Sequence, residues 1–416
     1  MPSVSINVLF TAFDVLMLVT TLGLLACWLV VLPRSVDKGF EHAVRRLTGV
    51  SIALLTLSSA GILVSRILEL DGGSWGQLLA SLSPALKFTH YGHVWVFRLP
   101  ALALLWFGWI WCHHHRHHRW TVWLMAVAAA AIALSRSETG HPADHGDFTV
   151  AVWVDWLHLM AGSVWVGSLF GMSLGIFPRV LRTGAQAGAD AALIFQRLST
   201  SAGYALAVIL LTGVFTAWQQ LQSFSALWTS SYGRVLLVKI VLVGLMVALG
   251  AHNRYVKLPR LLRAAGKHAK EKLMSRMLGA FRTDAPSAFG AVARGCARAV
   301  HMESALGVGV VLAASLLLHG MPPVDMRSMP GMSMKMSATS PAASRETSGS
   351  RRTPGMAVLA ARSPRDTNPT DSRSLFSRYD HDLADHAGGE MPRHVTGVLR
   401  HAIPREGPNQ AFGLPR

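Results

Sequence analysis

Apolar residues in this chain gather into runs separated by short polar stretches. A spanning helix needs about 20 consecutive apolar residues. Eight runs approach that length, roughly 8–32, 47–68, 93–112, 120–135, 152–177, 201–220, 235–253 and 301–319. The fourth is the shortest and depends on an Ala-rich centre. From Met321 the pattern stops. The remaining chain is rich in Pro, Ser, Arg, Asp and Gly and has no sustained periodicity, which predicts a segment disordered for most of its length. The expected fold is an all-α membrane protein: a bundle of about eight transmembrane helices over residues 1–320, then a Met- and His-containing tail over 321–416. No internal repeat is evident in the sequence.

Composition agrees with that pattern. The chain is 51% hydrophobic and 15% charged, with a mean hydropathy of +0.35, more apolar than a soluble domain of this length. The start, MPSVSINVLF, lacks a basic n-region, so the first run is expected to remain as a helix. The net charge of +17 is distributed unevenly. Arg34, Lys38, Arg45 and Arg46, then Arg116 and Arg119, then Arg179, Arg182 and Arg197, then Arg254 through Arg298 fall in alternate connections. The other connections are poor in basic residues. Under the positive-inside rule the basic set is cytoplasmic and both termini are periplasmic. These charges suit lipid headgroups and not nucleic acid. The stretch 254–300, with Arg263, Lys267, Lys270 and Lys272 among Leu and Ala, reads as a helix lying on the inner face, interrupted by Pro286 and Gly290. Cys27, Cys112 and Cys296 all fall near the cytoplasmic side, so no disulfide is expected.

Asp155 and His158 stand at the head of the fifth run, where an ionisable group is costly and calls for a partner or a task. Three residues apart on a helix, they share a face. Steps along it reach Gly162, Trp165, Leu169 and Met172, and Gly162 would admit a close neighbouring helix. Two readings stand: an outward-facing metal or proton site, or an interhelical hydrogen bond. His90 and His93 open the third run at the same depth, and the 136–151 connection carries His141, Asp144, His145 and Asp147. Imidazoles from several elements on one membrane face favour a metal, since neutral imidazole binds copper, zinc and nickel and carboxylates orient it. Arg98 and Lys239 are expected to be counter-ions to Asp14 and Asp155.

Met321, Met326, Met329, Met332, Met334 and Met336 crowd the start of the tail among Pro and Gly, which preclude an amphipathic helix. Thioethers are soft ligands that select Cu(I). On the other side Cys112 precedes His113 and His114 and is a possible inner acceptor.

Several stretches together resemble the copper resistance D (CopD) family of bacterial inner-membrane proteins. The fifth span carries D-x-x-H-x-x-x-x-x-x-W-x-G as Asp155, His158, Trp165 and Gly167. FQRLSTSAGYALAVILLTGVFTAW, SSYGRVLLVKIVLVGLMVALGAHNRY, YGHVWVFRL and the eighth span, with Glu303 ahead of its apolar core, follow the same family pattern over about 85–323. The resemblance implies copper transport across the inner membrane, inward, with copper as substrate or bound metal and a periplasmic CopC-like protein as partner. No CopC-like segment precedes the first span. No P-loop or aspartyl-phosphate motif is present, so a non-enzymatic permease is expected. The entry ligands would be His90, His93, His141, His145, Asp155, His158 and the tail methionines, with Trp165 and Met172 lining a path inward. The alternatives are a membrane haem or electron-transfer protein, using paired His as axial ligands, and a factor delivering copper for oxidase assembly.

Overall fold

The computed structural model describes residues 2–70, 75–115, 119–140, 146–221, 223–266 and 289–320, with positions 143, 274 and 277 between them. The described residues form helices, turns and bends, with no strand. Eight helices are long and apolar enough to cross a membrane: α1 (Asn7–Val31), α2 (Lys38–Glu69), α4 (His90–His114), α5 (Arg119–Ser137), α6 (Val150–Thr183), α7 (Gly188–Leu221), α8 (Ser231–Ala264) and α9 (Phe289–His319). A shorter helix, α3 (Leu78–Phe88), precedes α4. With eight crossings, Asn7 and His319 lie on the same side of the bundle, the terminal side; the opposite side is the basic side.

The helices outrun the apolar stretches that announce them. At 1.5 Å per residue a helix of 34 residues, as in α6, α7 and α8, is about 50 Å long against a hydrocarbon core of about 30 Å. Their polar turns therefore extend past the apolar layer. This corrects the reading of 254–300. Residues 254–264 continue α8 through a π-helical segment, Asn253–Lys257, and Gly290 sits in the first turn of α9. Arg263 belongs to that continuation of α8, while Pro286 and the lysines between 267 and 272 lie outside the described residues. Glu303 is not ahead of an apolar core but in the middle of α9, about 21 Å along the helix from Phe289.

The bundle is built from two like halves running in the same direction, α1–α5 and α6–α9, a relation invisible in the sequence read alone. Thr89 begins α4 by accepting a hydrogen bond from Gly92 N at 2.9 Å, and Ser230 begins α8 by accepting one from Gly233 N at 2.8 Å. A Cβ on Gly92 would lie 2.2 Å from Ala85 O, and one on Gly233 would lie 2.2 Å from Ala226 O. The pairs Asp14 and Asp155, Tyr91 and Tyr232, Gly92 and Gly233, and Arg98 and Lys239 share one separation along the chain. Packing follows the same relation. α1 pairs with α2 as α6 with α7, and α4 with α5 as α8 with α9; across the halves α1 lies against α9 as α6 lies against α5. Parallel repeats about an axis along the membrane normal are a recurrent transporter design.

The halves meet where α1 and α6 touch backbone to backbone. A Cβ on Gly23 would stand 2.2 Å from Gly167 Cα, and one on Gly167 would stand 2.1 Å from Val19 O. Ser168 Oγ adds a hydrogen bond to Gly23 O at 3.1 Å. Gly162, expected to host this approach, has open space around it. The reason is the π-helical segment Ser163–Gly167, which shifts the helix register so that Gly167 turns toward α1. A second such segment, Gly171–Ile176, packs on α2, as the π-helical end of α1, Cys27–Val31, packs on α7.

One contact breaks the likeness. α2 packs against α4 in the first half, whereas α7 and α8 have no comparable contact along their length. They meet at the basic end, where Arg254 Nη1 donates to Ser199 O at 2.7 Å. α8 leaves large apolar residues such as Val238, Val241 and Leu245 exposed toward the surroundings of the bundle.

Candidate functional site

Among the described residues, sets of polar side chains interrupt the apolar interior, and three of them are centred on carboxylates within the spans. The first is a closed ion pair. Arg98 Nη2 donates to Asp14 Oδ1 at 2.9 Å and to Oδ2 at 2.7 Å. Ser58 and Ser59 hydroxyls donate to Asp14 Oδ1 at 2.9 and 3.0 Å. Asp14 is fully buried and Arg98 only 6% exposed. The carboxylate has a full-charge partner and two hydroxyls, so its cost in an apolar layer is met locally.

The second set occupies the corresponding place in the other half. Ser137 Oγ donates to Asp155 Oδ2 at 2.7 Å. His158 Nδ1 lies 2.9 Å from Thr212 Oγ1, and that hydroxyl already donates to Val208 O at 2.7 Å. Thr212 therefore accepts, His158 Nδ1 carries the proton, and Nε2 holds the lone pair. This is how a second-layer partner prepares an imidazole as a metal ligand. Gly213 makes room for the ring, since a Cβ there would lie 3.4 Å from His158 Cε1. Lys239 on α8, the counterpart of Arg98, makes no salt bridge within 4.0 Å to Asp155. Asp155 Oδ1, His158 Nε2 and Lys239 Nζ have no hydrogen-bond partner among the described residues, and none of the three is sealed from the surface. They belong to α6 and α8, and Thr212, which holds His158, to α7; α7 and α8 do not pack against each other along their length.

The third set lies deeper. Trp165 Nε1 donates to Glu303 Oε1 at 3.1 Å and Asn253 Nδ2 to Oε2 at 2.8 Å. Glu303 is 3% exposed. Both donors belong to π-helical segments, whose extra residue turns the side chain out of the ordinary helical register.

Two family models match the chain. Copper resistance protein D-like, N-terminal domain, matches residues 1–150, the first half of the bundle, and Copper resistance protein D matches residues 192–317, from α7 into α9. The chain belongs to the copper resistance protein D family. The D-x-x-H helix α6 lies between the two matched ranges, and residues 1–84, outside the stretch that carried the resemblance, fall within the first. The chain is also 28% identical over 212 residues to the Copper transport protein CutJ of Bacillus subtilis (strain 168), covering 48% of this chain and 38% of that protein. The match thus spans well under half of that relative's length. No solved structure matches.

The structure brings some of the expected CopD ligands together and separates others. Asp155 and His158 share the second set. Arg98 is the counter-ion of Asp14, as expected; Lys239 faces Asp155 without closing on it. His90 Nε2 lies 3.7 Å from Asp147 Oδ1 at the terminal side, both side chains half exposed, and 3.5 Å from Glu138 O. His93 Nε2 lies 2.8 Å from Lys87 O, at the end of α3. Among the described residues no three His, Cys, Asp or Glu side chains gather as a metal cluster. His141, His145 and all six tail methionines, Met321 through Met336, lie outside the described residues.

On the basic side Cys112 is buried, while His113 and His114 are exposed and His113 stacks on Trp109 with centroids 5.6 Å apart. Trp165 and Met172 are packed in the core at 4% and 0% exposure. Cys27, Cys112 and Cys296 are free thiols. Beyond the membrane-crossing stretches, Asp37 precedes α2 and accepts from Gly39 N at 2.6 Å and Arg179 Nη2 at 2.9 Å. The Gly39 N–H and then the Arg179 guanidinium hold its carboxyl below the usual range, against a smaller opposing effect of desolvation.

Sequence reasoning missed Ser137, Thr212 and the Glu303 set. Glu303 obeyed the rule that singled out Asp155, an ionisable group within an apolar span. It was hidden because the span was started at 301, leaving the carboxylate at its edge.

Proposed function

We propose that this chain moves copper ions across a bacterial inner membrane, inward, as a permease without enzymatic activity, and so contributes to copper homeostasis and resistance. The observation that carries the reading is the second polar set. Asp155 and His158 stand one helical turn apart in an apolar span, each held at one atom, by Ser137 and by Thr212, with Asp155 Oδ1 and His158 Nε2 left without a hydrogen-bond partner among the described residues. Neutral imidazole suits copper, and a carboxylate offsets the charge of the ion. Membership of the CopD family and the likeness to a copper transport protein support copper as the substrate. The basic connections support an orientation with both termini in the periplasm. An inside-negative potential then favours inward movement by about 2.3 kcal/mol per charge per 100 mV. A CopC-like periplasmic protein is the proposed donor, and the Met-rich start of the tail a collecting segment.

Radiocopper uptake into cells carrying wild type, Asp155→Asn and His158→Ala tests the proposal. Loss of uptake in both variants at normal protein levels is the expected result. Normal uptake in both would return the pair to a packing role.

A further inference from the structure

We propose that Lys239 is a built-in counter-ion that competes with the transported cation for the Asp155 carboxylate, and that Asp14–Arg98 displays the closed form of the same arrangement. This deepens the transport reading and rests on it.

The two halves place the same parts in the same positions. Asp14 on α1 corresponds to Asp155 on α6, and Arg98 on α4 to Lys239 on α8. Each cation follows a Tyr-Gly pair at the start of its helix, at Tyr91–Gly92 and Tyr232–Gly233. In the first half the guanidinium closes on the carboxylate at 2.7 and 2.9 Å, and α4 packs against α2. In the second half the ammonium stays beyond 4.0 Å from the carboxylate, and α8 stands away from α7. The difference in side chain suits a difference in task. Arg binds a carboxylate with a rigid planar fork, whereas Lys presents one charge on a flexible stem that can let go.

The charges define two exclusive states. Without cargo, an ionised Asp155 in an apolar span needs a cation; Arg136 lies beside Ser137 on α5, and Lys239 stands where the repeat places Arg98 against Asp14. With a metal cation on Asp155 and His158, the ammonium cannot also sit on that carboxylate. Two like charges brought to one carboxylate inside an apolar layer repel strongly. Binding cargo therefore pushes Lys239 away, and its return pushes cargo out. Only an ion exchange is involved; no bond to carbon forms or breaks and no electron moves. The fold permits the motion. α8 is held by α9 and by the Arg254–Ser199 contact at the basic end, while Gly244 in its middle has nothing within 4 Å. The π-helical Asn253–Lys257 segment lies where a hinge would bend.

The test measures equilibrium Cu(I) binding to purified protein and radiocopper flux into proteoliposomes for wild type, Lys239→Met, Lys239→Gln, Lys239→Arg and Asp155→Asn. Removing the competitor, in the Met and Gln variants, is expected to tighten Cu(I) binding by about tenfold or more while slowing flux. Lys239→Arg is expected to weaken binding and abolish flux, because its fork reproduces the closed pair of the first half. Should the Arg variant fail to insert, the Met and Gln variants carry the test. Unchanged or weaker Cu(I) binding in both of them, with binding still lost in Asp155→Asn, would overturn the role of Lys239 and leave the transport site standing. Wild-type binding and flux in Asp155→Asn would overturn the transport site itself.

Discussion

The buried pair in the first half makes a prediction whose size differs between its two partners. Removing one member of a buried ion pair costs about 3–5 kcal/mol, because the other is left charged and unpaired. Here the cost is unequal. In Asp14→Ala, Arg98 loses both acceptors of its Nη2, and its Nε is already buried without a partner. A guanidinium cannot discharge itself, so the full cost of about 3–5 kcal/mol is expected. In Arg98→Ala, Asp14 keeps the Ser58 and Ser59 hydroxyls. It can also take up a proton and become neutral, which caps the loss. The expected cost is about 1–3 kcal/mol. The double variant, with no charge left, should lose clearly less stability than the sum of the two single losses. Thermal unfolding in detergent, followed by the monodisperse fraction on size exclusion, gives the four corners of the cycle. A larger loss for Arg98→Ala than for Asp14→Ala, or strict additivity in the double variant, would refute the reasoning.

Further predictions follow from single contacts. Gly23→Ala should destabilise by about 1–3 kcal/mol, since its Cβ meets backbone, while Gly162→Ala, with open space around it, should be neutral or stabilising by up to about 1 kcal/mol; the two melting temperatures should move in opposite directions or differ clearly. Gly213→Val should displace the His158 ring and lower copper uptake at unchanged protein level, because the imidazole edge lies 3.4 Å from the new Cβ. Glu303→Ala should cost about 2–5 kcal/mol, since it leaves the indole and amide donors of Trp165 and Asn253 without acceptors, and Glu303→Gln, which keeps an acceptor, should cost clearly less in the same unfolding assay. Asp37 titrates lower when folded, so its contribution is complete above its unfolded value of about 4 and is lost as pH falls through the folded value. The stability difference between wild type and Asp37→Asn should therefore close as pH falls through the folded value, and it should be small throughout because the site is exposed.

The spans were legible because hydrocarbon demands about 20 apolar residues and helices supply them without help from the rest of the fold. Asp155, His158 and the counter-ion Arg98 were legible by the same rule, since an ionisable residue stands out against an apolar run. What the rule could not supply was register. A π-helical segment inserts one residue into a turn without changing composition, so Gly162 looked like the close-packing position although Gly167 holds it. Helix ends were equally hidden. Polar turns beyond the apolar layer look like loops, and that concealed both Glu303 and the continuation of α8. The duplication was lost for a related reason. Membrane helices share an apolar composition whatever their ancestry, so likeness between halves survives only at the few positions that pack or carry charge, and those are recognised once the helices are placed side by side.

Those few positions also distinguish the two halves. Duplication alone would give two equal carboxylates at equal depth, each needing a cation. The first half answers with arginine, two serines and a helix packed over the pair, so that both carboxylate oxygens have partners. The second answers with a lysine more than 4.0 Å from the carboxylate, a histidine held at Nδ1 by Thr212, and helices α7 and α8 that do not pack along their length. An ion-binding group that is fully compensated stabilises a structure; one left with unfilled valences can exchange partners. The asymmetry between Arg98 and Lys239 therefore separates scaffold from site within a single repeated design. It also ties the two together, because the closed pair fixes the frame, through α1 and its Gly23 contact with α6, against which the open one can move.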